Sequence, residues 1–524
     1  MNRRHHVTAV AIVGVVAVLG AAWSVLSRAR VPRTFTASDE PVRIRPDYTD
    51  VVIPPNIAPL NFVIENRAAR YSVRIHGPQG GAMDLGSGNA QIRIPIRPWR
   101  RLLQANRGGE VWFDVYAADD SGQWRRHPRI TNHVADEPID SHITYRALRP
   151  NYNFFKSIRI EQRDLESFEQ TTLLDGRSFR NGCLNCHTFL NQQPDTLAIS
   201  IRSGPYGSGV LLGRDGRVEK VDIKWTYTSW HPSGQLAVYS INKVRQFFHT
   251  ARAEVRDVVD LDSGLFYYQV AAQTVKTAPA IADKQRLESY PTWSPDGQVL
   301  YFCSAPILWE DRDRIPLEHI EQIRYDLRRV RYDLESDTWG TPETVLSAEE
   351  TGQSILLPRL SPDGRFLVFC MCDHGCFPIY QASSDLYIMD LGTGEYRKLD
   401  VNSEQSESWH SFSSNSRWLA FSSRRQGGPF TRTFLCYIDA DGRAGKPFVL
   451  PREDPAFYES CLDAFSVPEL IRGPVKISSR AFVHAVRGQP DVPITSVTGA
   501  TPSATPAATE PWKASSSLEQ APSR

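Results

Sequence analysis

The chain has 524 residues, a formal net charge of +1, and 41% hydrophobic and 23% charged residues. That length exceeds one ordinary domain and supplies ample apolar material for large cores. A charge balance near zero with no basic stripe argues against a nucleic-acid partner. The 12 Trp, 19 Tyr and 23 Phe beside only 4 Met favour a β-rich fold with stiff aromatic packing.

Arg3 and Arg4 precede an uncharged apolar run from Val7 to Leu26. At 1.5 Å per residue such a run spans about 30 Å, the thickness of a bilayer's hydrocarbon. Residues 1–30 therefore read as a signal anchor in the inner membrane, or as a signal peptide cleaved near Gly20-Ala21-Ala22. Either way the rest of the chain is expected in the periplasm, or secreted if the segment is cleaved. Residues 31–53, with Pro32, Pro41 and Pro46, read as a linker. From 54 to 149 short alternating segments such as Tyr71-Ser-Val-Arg-Ile75 and Glu110-Val-Trp-Phe-Asp-Val-Tyr116 are broken by glycine pairs, a pattern that predicts an immunoglobulin-like β-sandwich.

Residues 150–204 change character. Ile158, Ile160, Leu165, Phe168, Leu173 and Leu174 fall mostly at helical spacing, and the segment then reaches Cys183-Leu-Asn-Cys186-His187. Two thiols three residues apart can add to the two vinyl groups of a haem, and the adjoining imidazole can ligate its iron. A thioredoxin-like redox site lacks its βαβ surroundings, a zinc site would need a second ligand pair, and a plain disulfide leaves the histidine unexplained. The expectation is one haem c, bound covalently by Cys183 and Cys186 with His187 as proximal iron ligand, on a short helical segment. His142, His231, His249 and His410 are candidates for the distal position.

From 205 to 487 the chain repeats. Trp230-His-Pro-Ser-Gly-Gln-Leu-Ala-Val-Tyr-Ser240, Trp293-Ser-Pro-Asp-Gly-Gln-Val-Leu-Tyr-Phe-Cys303, Leu360-Ser-Pro-Asp-Gly-Arg-Phe-Leu-Val-Phe-Cys370 and Phe412-Ser-Ser-Asn-Ser-Arg-Trp-Leu-Ala-Phe-Ser422 share one pattern: a strand end, a tight turn, an apolar strand. Steps of 63, 67 and 52 residues between the matching turn positions Pro232, Pro295, Pro362 and Ser414, built from strands, mean propeller blades. A small residue closes each copy, as a narrow inner part of a blade requires. The available length predicts five or six blades, with Gly209-Val-Leu-Leu-Gly-Arg-Asp-Gly-Arg-Val-Glu-Lys-Val221 contributing to a degenerate one and a C-terminal segment closing the ring. Within the third copy, Cys370, Cys372, His374 and Cys376 form a dense cluster, readable as a metal site or as a Cys372–Cys376 disulfide; Cys436 and Cys461 are a further candidate pair. Residues 488–524, rich in Pro, Ala, Ser and Thr, read as a disordered tail.

The repeats resemble the TolB-type, WD-like propeller repeats of bacterial envelope proteins. Further segments, among them Glu137-Pro-Ile-Asp140, Ser384-Asp-Leu-Tyr387, Asn415-Ser-Arg-Trp418 and Val467-Pro-Glu-Leu470, extend the resemblance to a family of exported TolB-like propellers with a single c-haem motif, often labelled cytochrome c biogenesis proteins. The resemblance covers residues 54 to 480. It implies a sandwich, a haem segment and a propeller in that order, and no established activity. Where that family carries an aromatic-His-x-Arg segment after the haem motif, this chain has Ile199-Ser-Ile-Arg202, so a distal ligand from that segment is missing.

The leading expectation is a periplasmic monohaem c-type cytochrome that transfers electrons, or binds a redox or envelope protein partner according to its redox state. One alternative is a haem-dependent oxidoreductase with its active site in the propeller channel; another is a scaffolding propeller with a structural haem. No catalytic residue is singled out by spacing.

Overall fold

The computed structural model describes residues 31–150, 156–249, 256–426, 428–491 and 497–498. The anchor expected over 1–30 and nearly all of the tail lie outside the described residues. Among the described residues no helix is long and apolar enough to cross a membrane. The chain divides into two compact units, one running to Ile139 with Glu166–Phe168 and Phe448–Cys461, the other taking Asp140–Leu165, Glu169–Pro447 and the chain from Leu462.

The first unit holds a seven-stranded sheet centred on Glu110–Ala118, a three-stranded sheet of Ile44–Arg45, Phe62–Ile64 and Gln91–Ile92, and a helix over Ile96–Ala105. It departs from the immunoglobulin-like sandwich in two ways. Two strand pairs are parallel, Thr36–Ala37 with Trp124–Arg126 and Val52–Ile53 with the end of Ile130–Val134. The helix was hidden in a short run whose Trp99, Leu102 and Leu103 follow the i, i+3, i+4 spacing and bury one face. Residues 31–53 are not a linker: they supply three of these strands, and Tyr48, Val51 and Ile53 are buried.

The second unit is a six-bladed β-propeller. Blade one consists of His142–Arg149, Lys156–Asp164 and Gln170–Asp175, with Ala464–Ile471 as its innermost strand. Blade two is Cys183–Phe189, Thr196–Ser203, Gly207–Arg214 and Arg217–Val221. Blades three, four and five begin at Thr228–Trp230, Arg286–Trp293 and Ser354–Leu360, and the first three strands of blade six are Glu407–Phe412, Trp418–Ser423 and Arg432–Tyr437. Each innermost strand touches the next, and Ala464–Ile471 touches Cys183–Phe189, so the six form a closed ring. Ala464–Ile471, about 320 residues after His142–Arg149, supplies that closure.

Aromatic and aliphatic side chains fill the spaces between successive blades. Leu184, Phe189 and Ile199 pack with Ile160 and Leu174 of blade one; Trp225, Tyr239 and Phe266 form the next layer; Trp293 and Phe302 meet Tyr267 in the third. Burying side chains of this size is worth about 1.5–3 kcal/mol each. The turns follow the sequence pattern: in Ser294-Pro-Asp-Gly297 the glycine has φ 74° and donates its N–H to the Ser294 carbonyl. A side chain on Gly297 would also collide with the His231 ring of the preceding blade.

Among the described residues of 150–204 there is no α-helix where a helical segment was expected, only two short 3-10 turns, Gly176–Phe179 and Leu190–Gln192. Lys156–Asp164 and Gln170–Asp175 form the two outer strands of blade one, and buried Ile158 and Ile160 alternate with half-buried Ser157 and Arg159 at period two. The Cys183–His187 motif lies on an innermost strand. The propeller therefore starts at Asp140, well before residue 205.

Candidate functional site

The innermost strands are interrupted at one level. Register shifts separate Leu184 from His187, Ser289 from Thr292, Leu356 from Arg359 and Ser408 from Ser411 in their pairing with the second strands, and the pairing of blade one slips opposite Ser466–Glu469. A β-bulge of this kind inserts a residue and turns its side chain out of the ladder. Tyr290, Leu357, Trp409 and Val467 sit at these bulges with φ of 54°, 55°, 49° and 54°. Bulky and β-branched residues rarely occupy the left-handed region, at a cost of about 1–3 kcal/mol each, and such strain clusters at functional sites. In three of the four a proline follows (Pro291, Pro358, Pro468), where the bulge excuses the missing N–H.

All six bulge-level residues point to the axis. Cys186, Tyr227, Tyr290, Leu357, Trp409 and Val467, one per blade, line a single small cavity together with His187 and Arg359. Each stands three residues before the residue that opens its blade turn: Phe189, Trp230, Trp293, Leu360, Phe412 and Leu470. The Cys-x-x-Cys-His motif thus occupies the position that carries Tyr-Pro, Leu-Pro and Trp-His elsewhere in the ring. The cavity measures about 20 Å³, which is room for about one water. Above it a cleft of about 520 Å³ is lined by Trp230, Trp293, His410, Phe412, Glu469 and others, and shares Leu357, Arg359, Trp409 and Val467 with the small cavity.

His187 is 3% exposed, and neither ring nitrogen has a hydrogen-bond partner. Burial, and after it the Arg146 guanidinium, hold its pKa down at about 3, with the Thr144 backbone acting the other way. The imidazole is therefore neutral at any physiological pH, the form that ligates a metal. Burial pushes the Cys186 thiol up against the opposing pull of Arg146, Arg359 and Arg202. Cys183 packs on the Leu184–Phe189 core, and neither cysteine is in a disulfide. By chemistry this donor set fits a haem c: two unbonded thiols and a neutral, unsatisfied imidazole. Cys186 and His187 face the axis, while Cys183 does not line the cavity.

None of the four candidate distal histidines lines the small cavity. His231 is held in its blade turn by Ser233 Oγ at 2.7 Å and the Gly297 carbonyl at 3.1 Å. His249 faces Asp257 at 3.2 Å, and His142 starts its strand beside Ser141 Oγ at 2.9 Å. His410 lines the larger cleft, with Nε2 at 2.9 Å from the Val368 carbonyl and Nδ1 facing the Cys370 thiol at 4.0 Å.

The cysteine cluster does not assemble. Cys370, Cys372 and Cys376 are free and buried, and each thiol faces its own backbone acceptor: Glu407 at 3.7 Å, His374 at 3.4 Å and Val258 at 3.5 Å. Burial pushes all three thiols up, away from the thiolate that metals require. His374 turns to Asp257 instead, at 3.6 Å. Among the described residues no group of three His, Cys, Asp or Glu side chains is placed to hold a metal ion, and Cys436 and Cys461 are not joined in a disulfide.

No family profile matches this chain. A probable polyketide synthase 44 of Dictyostelium discoideum is 32% identical over 155 residues, 28% of this chain, and the chain spans only 4% of that protein. Among solved structures, hydrazine synthase of Kuenenia stuttgartiensis is similar at 15% identity over 49% of this chain and 64% of that one, with a TM-score of 0.29. The periplasmic gluconolactonase of Pseudomonas aeruginosa is similar at 15% identity over 62% and 99%, with a TM-score of 0.32. Likenesses at this level carry no argument about activity; the propeller rests on the closed ring of sheets.

Proposed function

We propose that this chain is an exported monohaem c-type cytochrome in which Cys183 and Cys186 hold one haem and His187 is its proximal ligand, on an innermost propeller strand. The observation that carries the reading is His187: an imidazole buried at the axis, neutral, and with both nitrogens unpartnered. A buried polar group left so costs about 1–3 kcal/mol, and an iron bond would satisfy one of the two nitrogens. The resemblance to exported TolB-like propellers with a single c-haem motif supports the same reading. When bound, the haem supplies one-electron chemistry whose potential depends on its axial ligands, hydrogen bonding and burial.

The chain's own residues do the rest. The ladder to Thr196–Ser203 fixes the strand on which His187 stands. Tyr227 and Tyr290, with ring centres 4.1 Å apart, close one side of the cavity against water. In this reading the protein serves electron transfer, or redox-linked binding of an envelope partner, from the periplasmic side of the inner membrane.

One observation favours the oxidoreductase alternative. No candidate distal histidine lines the cavity beside His187, and a cleft of about 520 Å³ opens next to it. An iron held by His187 next to a cleft of that size would suit a small substrate better than electron transfer alone.

The test is expression with haem-maturation machinery, followed by absorption spectra of the oxidised and reduced protein and a denaturing gel stained for haem. Covalently retained haem, lost from Cys183→Ala/Cys186→Ala, is the expected result. Absence of covalent haem would overturn the proposal. A spectrum unaltered by carbon monoxide or cyanide would remove the oxidoreductase reading.

A further inference from the structure

We propose that the axial cleft binds a small organic carboxylate, with the acid end paired to Arg359 and the body packed on Trp230, Trp293 and Phe412. The inference stands apart from the haem reading, because it rests on the cleft and on an arginine.

Three other sheltered arginines of the propeller are matched. Arg425 pairs with Glu407 at 3.0 Å, Arg159 with Glu161 at 2.8 Å and Asp463 at 2.7 Å, and Arg286 with Asp326 at 2.8 Å. Arg359 is half-buried in the channel and has no hydrogen bond or ion pair among the described residues. Withdrawing a guanidinium from water without a partner is unfavourable, and burial already pulls its pKa below the ordinary arginine value.

The nearest acid does not cancel it. Glu469 lines the same cleft and is felt by Arg359, yet the two form no salt bridge within 4.0 Å. Glu469 Oε1 instead accepts the Phe189 N–H at 3.0 Å, and burial pushes its carboxyl up to about 7, so near neutrality much of it is uncharged. Arg472 adds a second positive charge to the wall. The remaining positive field meets a planar fork suited to bidentate carboxylate binding. Three large aromatic side chains, each 3–6% exposed, supply the apolar side, and about 520 Å³ falls within the range of small-molecule sites.

The experiment is calorimetric titration of the full-length purified protein with benzoate, and with benzamide as an uncharged molecule of the same shape. Saturable one-to-one benzoate binding, at least ten-fold tighter than benzamide, is expected. Arg359→Gln should erase the preference, and Arg359→Lys should keep part of it, with circular dichroism confirming that each variant is folded. Equal binding of the two probes, no saturable benzoate binding, or a preference surviving in Arg359→Gln would overturn the proposal. So would benzoate binding confined to Cys183→Ala/Cys186→Ala, which would assign Arg359 to the propionates of a bound haem. The absorption spectrum reports haem separately, so a failed titration leaves the cytochrome reading to be judged by its own test.

Discussion

Cys186 on blade two and Trp409 on blade six hold the same place in their innermost strands, and both side chains line one axial cavity. Trp409 differs in carrying a left-handed backbone, φ 49°, and in walling off the larger cleft. Removing its ring should cost about 3–5 kcal/mol. The strain adds a finer expectation. Glycine accepts φ near 50° freely, whereas alanine does not. Trp409→Gly should therefore be more stable than Trp409→Ala by about 1 kcal/mol, the reverse of the usual order within a strand. Urea melts of the two variants decide it; Trp409→Ala proving the more stable would refute the strain argument.

His187 is tested by cavity rescue. In His187→Gly both cysteines remain, so haem should still attach while the visible spectrum departs from that of the unsubstituted protein. Free imidazole should then enter the vacated space and restore the spectrum. Attachment with an unchanged spectrum in His187→Gly would show that another residue ligates the iron.

Much of the propeller was legible because turn chemistry and a small residue recur locally. Ser240, Cys303, Cys370 and Ser422, expected at the narrow part of each blade, are all fully buried. Blade two was half legible: Gly209–Val221, expected in a degenerate blade, supplies its two outer strands, but its inner strands were missed because the turn between them, Asn191-Gln-Gln-Pro-Asp195, lacks glycine. Blade one was unreadable for a different reason: its innermost strand, Ala464–Ile471, arrives from the far end of the chain. The same limit applies to the site. His187 was found by spacing alone. Arg359, Tyr290 and Trp409 meet it only through ring closure, and their one local signal, an apolar or aromatic residue followed by Pro or His ahead of each turn, was present but unused.

The cysteines give a chemical count. If Cys183 and Cys186 are thioether-linked and the others stay as the structure has them, alkylation of the denatured, unreduced protein should label six of the eight cysteines. Labelling of only four, with two more after reduction, would instead reveal a disulfide such as Cys372–Cys376.

Stability should fall as pH rises. Glu288 is 1% exposed, and burial pushes its carboxyl up to about 8 from an ordinary 4.5. The native state then holds a proton that the unfolded chain has released, so this contribution is complete below about pH 4.5 and is lost as pH climbs through about 8, with a limiting slope of about 1.4 kcal/mol per pH unit. Asp260, pushed up to about 7 by burial, acts in the same direction. Glu288→Gln should flatten the decline in melting temperature between pH 5.5 and 8.5, mostly by raising the value at high pH. An unchanged decline would remove Glu288 from the account.

Asp140 shows how blade six manages without the proline of its sister turns. Pro232, Pro295 and Pro362 have no N–H to satisfy, but Ser414 at the matching position has one. Asp140, at the start of blade one, accepts it at Oδ2 over 2.8 Å and accepts the Ser414 hydroxyl at Oδ1 over 2.6 Å. Burial raises the Asp140 carboxyl even so, which means these two bonds do not fully offset its desolvation. Asp140→Ala should cost about 1–3 kcal/mol. Ser414→Pro suits the turn geometry yet removes both donors, so it should cost more than Ser414→Ala, which keeps the N–H. The decisive measurement is the cycle. In an Asp140→Ala background the proline no longer strands a buried carboxylate, and Ser414→Pro should become nearly neutral in urea denaturation. Simple additivity of the two substitutions would mean that the Asp140–Ser414 pair does not hold the first and last blades of the ring together.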